Sequence, residues 1–529
     1  MKLNYKKTIL VGFAFFLISM FWQAYDTLVP KILTDKFGMA QTWSGAIMAL
    51  DNVFALFLLP IFGALSDKLH SKHGRRTPFI FIGTILAVVL LVFVSVPDSM
   101  QHRAIEEISG TEGAAYTQSL ETIWEKNPEV SNFLDEGDTE KRPLQELITK
   151  EDFCAIPMQI EVDGKAKTNQ DYTDIVVPAR QAVASRITSD SPGALILFVA
   201  ILFFLLVSMG TFRSPAVALM PDVTVKPLRS KANAIINLMG TAGGIIVLVL
   251  GMLFGTGKVQ NATMSYTGFF IVVAALMLAA LVIFLLTVRE PKLVEEMKEE
   301  SRRLGIDEEK EAAEAEAKRS ETRGVKLDRP HLISLLLILA SVALWYMGYN
   351  AVTSKYSVYA GTVLGLDYNS TLIIAQAAAI VAYIPAGIVA TKLGRRKTIL
   401  GGVVLLFAAF LSASFLRAGS PAFLVNFLFI LAGIGWATIN VNSFPMVVEL
   451  SKSADVGRYT GFYYTASMAA QIVTPVLSGV FMDSIGMTSL FPYAAIFVAA
   501  AFLTMFFVRH GDAKPAEGGS LLEQLGADD

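Results

Sequence analysis

Twelve apolar runs, each long enough to cross a bilayer, recur along this chain of 529 residues. They fall at about 8–29, 43–65, 77–96, 193–221, 233–255, 266–288, 331–356, 370–391, 398–417, 422–449, 458–481 and 488–509. A spanning helix needs roughly 20 mostly apolar residues, because the backbone polar groups of a segment in hydrocarbon must be satisfied within it. Composition agrees: 53% of the residues are hydrophobic and 17% charged, against about a quarter charged in ordinary soluble domains. The first run ends in Tyr25-Asp-Thr-Leu-Val-Pro30 without a small-residue cleavage site, so it reads as a span and not as a signal peptide.

The charges lie between the runs, and Lys and Arg in short loops set orientation. Lys2, Lys6 and Lys7 precede span one; Lys68, Lys72, Arg75 and Arg76 follow span two; Lys226, Arg229 and Lys231 follow span four; Lys392, Arg395, Arg396 and Lys397 follow span eight; Lys452 and Arg458 follow span ten. All fall on one side, which is therefore expected to be the cytoplasm, together with both termini. The short tails and the lack of targeting signals point to a prokaryotic cytoplasmic (inner) membrane.

The chain divides accordingly into a first six-helix bundle, 1–288, a linker, 289–330, a second bundle, 331–510, and a tail, 511–529. The linker carries 13 acidic and 11 basic residues and reads as a charged cytoplasmic tether. Within the first bundle, residues 97–192 form an insertion on the opposite side, with 19 acidic and 9 basic residues. Its isolated apolar positions, among them Trp124, Phe133 and Ile175, suffice for a small cap of helices or turns that serves as a lid, a docking surface or a passive insertion.

Spans 1–6 and 7–12 repeat one another in order and sense. After span two stands Gly63-Ala-Leu-Ser-Asp67, then Gly74-Arg75-Arg76; after span eight stands Gly387-Ile-Val-Ala-Thr391, then Gly394-Arg395-Arg396. Phe21-Trp22 precedes Asp26 in span one as Leu344-Trp345 precedes Asn350 in span seven. Parallel repeats suit alternating access, in which two bundles rock about a site between them near the midplane.

The Gly-x-x-x-Asp…Gly-Arg-Arg loop between spans two and three resembles the signature loop of the major facilitator superfamily. The longer stretch Ser66-Asp67-Lys-Leu-His-Ser-Lys-His-Gly-Arg75-Arg76-Thr-Pro-Phe-Ile80 is similar to the glycoside–pentoside–hexuronide:cation symporters, nearest the sucrose–proton symporter group. Arg213-Ser-Pro-Ala-Val-Ala-Leu-Met-Pro-Asp222, followed by Arg229-Ser-Lys-Ala-Asn233, resembles the fourth-span region of that group. Thr77 stands where the sucrose group has an arginine, its span-four arginine lies about one turn deeper than Arg213, and the insertion is not part of its pattern. The resemblance implies the major facilitator fold, twelve helices in two six-helix bundles. It also implies that Gly63, Asp67, Arg75 and Arg76 form a conformational switch. Asp222 with Arg229, and Glu449 with Arg458, look like similar charge sets, although charge that merely fixes topology explains them as well.

Charged groups inside spans cost about 2.5–3.5 kcal/mol each on insertion scales, so they mark sites facing water, a partner or a substrate. Asp51, eight residues into span two, is the sharpest candidate for cation coupling. The bland alternative is a structural carboxylate. Asp26 in span one either shares that role and binds solute hydroxyls or pairs with Lys31 at the interface. Arg213 can bond a sugar hydroxyl, clamp a carboxylate or neutralise Asp26 or Asp51; otherwise it snorkels. Trp22, Gln23, Asn52, Asn237, Trp345, Tyr346, Asn350, Gln376, Asn440 and Asn442 complete a polar and aromatic set that suits a sugar, although each alone is more often helix-packing glue. Tyr349 and Trp436 belong to the same polar faces.

Cys154 is the lone cysteine, the five histidines are scattered, and no His, Cys or acid cluster has metal spacing. Gly255-Thr-Gly257-Lys258 lacks the spacing of a phosphate loop. Neither an enzyme, a metal site, a bound cofactor nor a nucleic-acid partner is expected. The leading expectation is a monomeric, bilayer-embedded symporter that couples a di- or oligosaccharide or a glycoside to a proton, with Na⁺ as the other candidate ion. An exporter or lysolipid flippase of the same fold, or a non-transporting sensor, are the alternatives.

Overall fold

The structure is a computed structural model that describes residues 3–133, 140–162, 164–304, 329–449 and 456–510. Its long helices are α1 (Tyr5–Lys31), α2 (Gln41–Lys68), α3 (Thr77–Phe93), α4 (Gly193–Asp222), α5 (Arg229–Phe254), α6 (Thr267–Thr287), α7 (Arg329–Thr362), α8 (Tyr368–Leu393), α9 (Arg395–Ala413), α10 (Ala422–Glu449), α11 (Val456–Ser484) and α12 (Leu490–Phe506). Among the described residues, eleven helices are long and apolar enough to cross a membrane, and the apolar part of α8, Tyr368–Tyr383, is shorter. The chain is thus a multi-pass membrane protein.

Two apolar cores build two bundles. The first draws chiefly on α1, α3, α4 and α6, the second on α7, α9, α10 and α12. The bundles meet where α1 packs on α7, α2 on α11 and α5 on α8. Large apolar side chains on the outer helices, such as Phe81 and Leu86 of α3, Val282 and Leu286 of α6 and Leu503 of α12, face outward. In water such a surface is a liability, and in lipid it is the expected one.

Two spans outrun their apolar stretches. The first helix continues as a π turn, Ile32–Lys36, and the third resumes after Val94 as Ser95–Ala104. The added turns carry charge that hydropathy reads as loop, but the charges are buried and paired. Lys36 bonds the Asp98 carboxylate, both side chains being fully buried, and Lys31 pairs with Asp35 at 3.1 Å. Desolvating two such ions costs several kcal/mol each unless every polar atom finds a partner. Lys36 also donates to the carbonyls of Asp98 and Met264 at 3.1 Å each, and the other Asp98 oxygen accepts from the Tyr266 N–H at 2.9 Å.

The insertion sits on these extended ends with a core of its own, including Leu120, Ile123, Phe153, Tyr172, Val176 and Val183. It contains helices Gly113–Glu125 and Val177–Asp190 and two hairpins, β1 (Glu129–Ser131) with β2 (Lys141–Pro143) and β3 (Gln159–Val162) with β4 (Lys165–Thr168). Trp124, Phe133 and Ile175 pack against that core. Gln181 ties it to the first bundle by donating to Asp35 at 2.9 Å, and Thr168 reaches the second bundle by donating to the Gly365 carbonyl at 2.7 Å.

At the opposite end the linker begins as a helix, Glu290–Arg303. The acidic, alanine-rich stretch of the linker and the tail 511–529 lie outside the described residues.

Candidate functional site: the cavity between the bundles

Two voids lie between the bundles and share Asp26 and Thr353 on their walls. The larger, about 250 Å³, has Gln23, Asp26 and Thr27 of α1 on one side. On the other stand Tyr349, Thr353 and Tyr356 of α7, Gln376 of α8 and Phe429 and Trp436 of α10. The smaller, about 100 Å³, is bounded by Asp26, Asp51, Asn52, Asn350, Thr353, Ser354 and Gln471.

Each wall follows from local sequence. Gln23 and Asp26, three apart, share one face of α1, and Trp22 and Tyr25 form an edge-to-face pair (5.5 Å between centroids) beside it. The Arg213 guanidinium lies over the Trp22 ring, 5.3 Å from its centroid, a cation–π arrangement that keeps a permanent charge next to the carboxylates. Arg213 acts electrostatically on both Asp26 and Asp51. One Asp51 oxygen accepts from the Asn52 N–H at 2.6 Å and from its side-chain amide at 2.7 Å. Tyr349 and Trp436 stack with centroids 3.6 Å apart and rings 4° from parallel, and Tyr346 meets Trp436 edge-on at 5.2 Å. Gln376 donates to the Gln23 side-chain carbonyl at 2.7 Å and so bridges the bundles. The arrangement is a pocket with an aromatic wall and two amides, chemistry that suits a polar solute, adjoining a pocket with two carboxylates.

Of the residues expected from sequence, Gln23, Asp26, Asp51, Asn52, Asn350 and Gln376 reach the cavities; Trp22, Arg213 and Tyr346 line neither void, although Tyr346 packs on Trp436 and Arg213, over Trp22, acts on both carboxylates. Others do not. Trp345 is fully buried in the core of the second bundle, because the apolar face of α7 includes its position. Asn442 is buried and donates to the Thr438 carbonyl one turn earlier at 2.9 Å. Asn237 and Asn440 are half-buried and line neither void. Lys31 pairs with Asp35, and Asp26 therefore belongs to the cavity. Missed were Thr27, Thr353, Tyr356 and Gln471, whose residue types are too common in spans to stand out.

The charged loop after α2 is also arranged differently from the expected set. Asp222 takes Arg75 at 2.6 Å and Arg76 at 2.8 Å, and Arg76 also reaches Asp67 at 2.5 Å. Arg229 donates to the Thr224 carbonyl at 3.1 Å. Burial of Arg76 works against its charge, but bonds to Asp222 and Asp67 outweigh it and hold the guanidinium's pKa above its ordinary value. Glu290, read as tether charge, caps α3: its carboxylate accepts from the N–H groups of Arg75 (2.8 Å), Arg76 (3.0 Å) and Thr77 (2.8 Å). All these partners belong to the first bundle or the start of the linker. Gly63 lets α2 approach α4, since a Cβ there would lie 2.8 Å from the Ser214 hydroxyl. The side chains of Glu449 and Arg458 lie outside the described residues.

At the insertion end the bundles are closed on each other. Asp483 of α11 accepts from the N–H groups of Gln41 (2.8 Å) and Thr42 (2.7 Å), Lys355 of α7 donates to the Gln41 carbonyl at 2.5 Å, and Thr256 and Tyr368 share a hydrogen bond of 2.9 Å.

Over nearly its whole length the fold matches solved transporter structures. The inward-open xylose transporter XylE from E. coli aligns over 98% of this chain and 99% of its own, with 15% identity and a TM-score of 0.56. A bacterial homolog of the human lysosomal transporter Spinster, inward-facing and occupied, aligns over 96% and 97% with 11% identity and a TM-score of 0.59. The MFS-type transporter ppzB of Metarhizium majus (strain ARSEF 297) is 32% identical over 133 residues, which is 25% of this chain and only 28% of that relative. The sequence matches the family described as MFS/sugar transport protein over residues 10–105 and the Major Facilitator Superfamily over 182–382 and 370–525. With most of its length matched, and with the twelve-helix, two-bundle fold to which that match corresponds, the chain belongs to the major facilitator superfamily, a family of transporters.

Proposed function

We propose that this transporter is a cation-coupled symporter that carries a sugar, of the di- or oligosaccharide or glycoside class, by alternating access. The observation that carries this reading is the position of Asp26. It forms a wall both of the aromatic and amide-lined void and of the void that holds Asp51. A cation or proton taken up by the acid pair thereby changes the charge on a wall of the solute pocket, which is the minimum linkage that coupling requires. The Tyr349–Trp436 stack offers a flat apolar face to sugar C–H groups, and Gln23, Gln376 and Asp26 offer hydrogen bonds to hydroxyls. The likeness of the 66–80 loop to glycoside–pentoside–hexuronide:cation symporters supports this substrate class, and the fold likeness to a xylose transporter is consistent with it. The coupling ion is proposed to be the proton. The basic loops support an orientation with the termini in the cytoplasm and the insertion outside a cytoplasmic membrane.

The test is uptake of labelled sucrose, maltose and other glycosides into proteoliposomes with an imposed proton gradient, an imposed sodium gradient, or neither. Accumulation that follows the proton gradient and is lost in Asp51→Asn supports the reading. Uptake indifferent to both gradients removes coupling and leaves a facilitator.

One observation favours a second reading, transport of an amphipathic solute. A groove of about 940 Å³ between α8, α9 and α10 is lined mainly by Ala, Val, Ile, Leu and Gly, with Lys397, Thr398 and Thr438 among its few polar residues. It shares no lining residue with the two central voids, so the sugar reading stands first. Competition of sugar uptake by a lysolipid below its micellar concentration would reverse that order.

A further inference from the structure

The N-terminus of α2 carries no cap of its own: the preceding residue is Ala40, which has no side-chain oxygen to offer. The cap comes from the other bundle. Asp483, in the last turn of α11, accepts from the Gln41 N–H at 2.8 Å, the Thr42 N–H at 2.7 Å and the Thr42 hydroxyl at 2.6 Å. A carboxylate there satisfies unpaired amide groups and meets the positive end of the helix dipole. The contact requires the two backbones to touch. A Cβ on Gly45 would collide with the Pro475 carbonyl, and one on Gly479 would lie 2.5 Å from the Gln41 carbonyl oxygen. Separation of the bundles at this end therefore removes the cap completely.

Lys355 stands beside the same turn with the opposite consequence. Its side chain is fully buried, and its ammonium donates to the Gln41 carbonyl at 2.5 Å. No carboxylate lies within ion-pair distance of it among the described residues, although Asp483 acts on it electrostatically. The Gln41 carbonyl is a neutral acceptor that takes one of the ammonium's three donors, so this bond offsets only part of the lysine's desolvation.

We propose that Asp483 and Lys355 are positioning residues with opposed effects on the insertion end of the transport path. Asp483 holds that end shut by capping α2 from across the seam. Lys355 loads the shut state with a desolvated charge that opening returns to water, so that closure stays reversible. This rests on the alternating-access reading and deepens it, independently of which solute or ion is carried.

The test reports on the seam itself. Ser44, one turn along α2 from the cap, is fully buried with its hydroxyl unpartnered. In a Cys154→Ser background, Ser44→Cys is labelled by a membrane-impermeant maleimide added on the insertion side, without solute. Asp483→Asn is expected to raise the labelling rate several-fold, Asp483→Glu to bring it back toward the parent, and Lys355→Met to lower it several-fold. General unfolding raises labelling, so the slowed Lys355→Met rate cannot come from damage. Parent labelling that neither residue changes, or changes of the same sign from both, overturns the proposal while alternating access stands. No labelling of Ser44→Cys in any variant overturns both together.

Discussion

Gln376 of α8 donates to the side-chain carbonyl of Gln23 on α1 at 2.7 Å, an amide-to-amide bond that crosses between the two bundles inside the larger void. A solute bound there competes for the same donor and acceptor. Replacing either glutamine removes a partner worth about 1 kcal/mol net, so Gln23→Ala and Gln376→Ala should each raise the half-saturation concentration by roughly tenfold or less. The double variant should cost more than the sum, because each single change also releases the remaining glutamine from the bond that the solute has to displace. Strict additivity in transport assays would show that the solute does not exchange with this bond.

The shared wall at Asp26 makes a sharper prediction. Asp26→Asn and Asp51→Asn should both abolish gradient-driven accumulation while preserving exchange of labelled for unlabelled solute across a vesicle loaded on both sides. Exchange needs no net movement of the coupling ion, and accumulation does. Asp26→Asn should also weaken solute binding, since Asp26 borders the solute void as well, whereas Asp51→Asn should leave binding close to that of the parent. Binding measured by tryptophan fluorescence separates the two; equal loss in both would place the solute across both voids.

Glu290 caps α3 through three backbone N–H groups and the Thr77 hydroxyl at 2.8 Å, with its side chain buried. Glu290→Ala leaves those donors without a partner in a buried place and should cost about 1–3 kcal/mol. The expected result is a lower thermal midpoint in detergent, with gradient-driven transport retained in the folded fraction. A midpoint unchanged from the parent would mean that water replaces the carboxylate.

The insertion should respond to pH through Asp174. The side chain reaches solvent, but partial desolvation and the neighbouring charge of Asp171 raise the pKa of this carboxyl; bonds from Gln170 and Thr173 and the charge of Arg417 lower it without cancelling the effect. The folded insertion then holds a proton over a range where the unfolded chain, with an aspartate pKa of about 3.9, has lost it. Stability from this group is fully present below that value and is lost as pH rises through the folded pKa. Asp174→Asn, which cannot ionise, should stabilise the insertion at neutral pH and lose that advantage in acid. Limited proteolysis of the cap at the two pH values measures it.

Most of the architecture was legible because a bilayer leaves few choices. The twelve runs, the duplicated loops and the insertion all correspond to elements of the structure, and intramembrane cost alone singled out Asp26, Asp51 and Arg213. Partners were not legible. The added helical turns that hold Lys36 and Asp98 read as loop, since hydropathy cannot tell a solvated charge from a buried pair. Trp345 and Trp436 sit in similar apolar helices, yet one fills a core and the other faces the cavity. A helix that is apolar on all sides conceals which face is which. Glu290, Asp483 and Lys355 act on residues of distant sequence position, and no local pattern announces such contacts.

The core of the insertion includes Val259, which lies beyond α5. The cap is interrupted in synthesis by two membrane crossings before its last apolar side chain arrives. A ribosome that has delivered the insertion has therefore not yet delivered all that it packs upon, and this core is completed only after the chain has crossed the membrane twice more. Synthesis thus orders this half of the molecule: helices four and five are made before the last side chain of the insertion core.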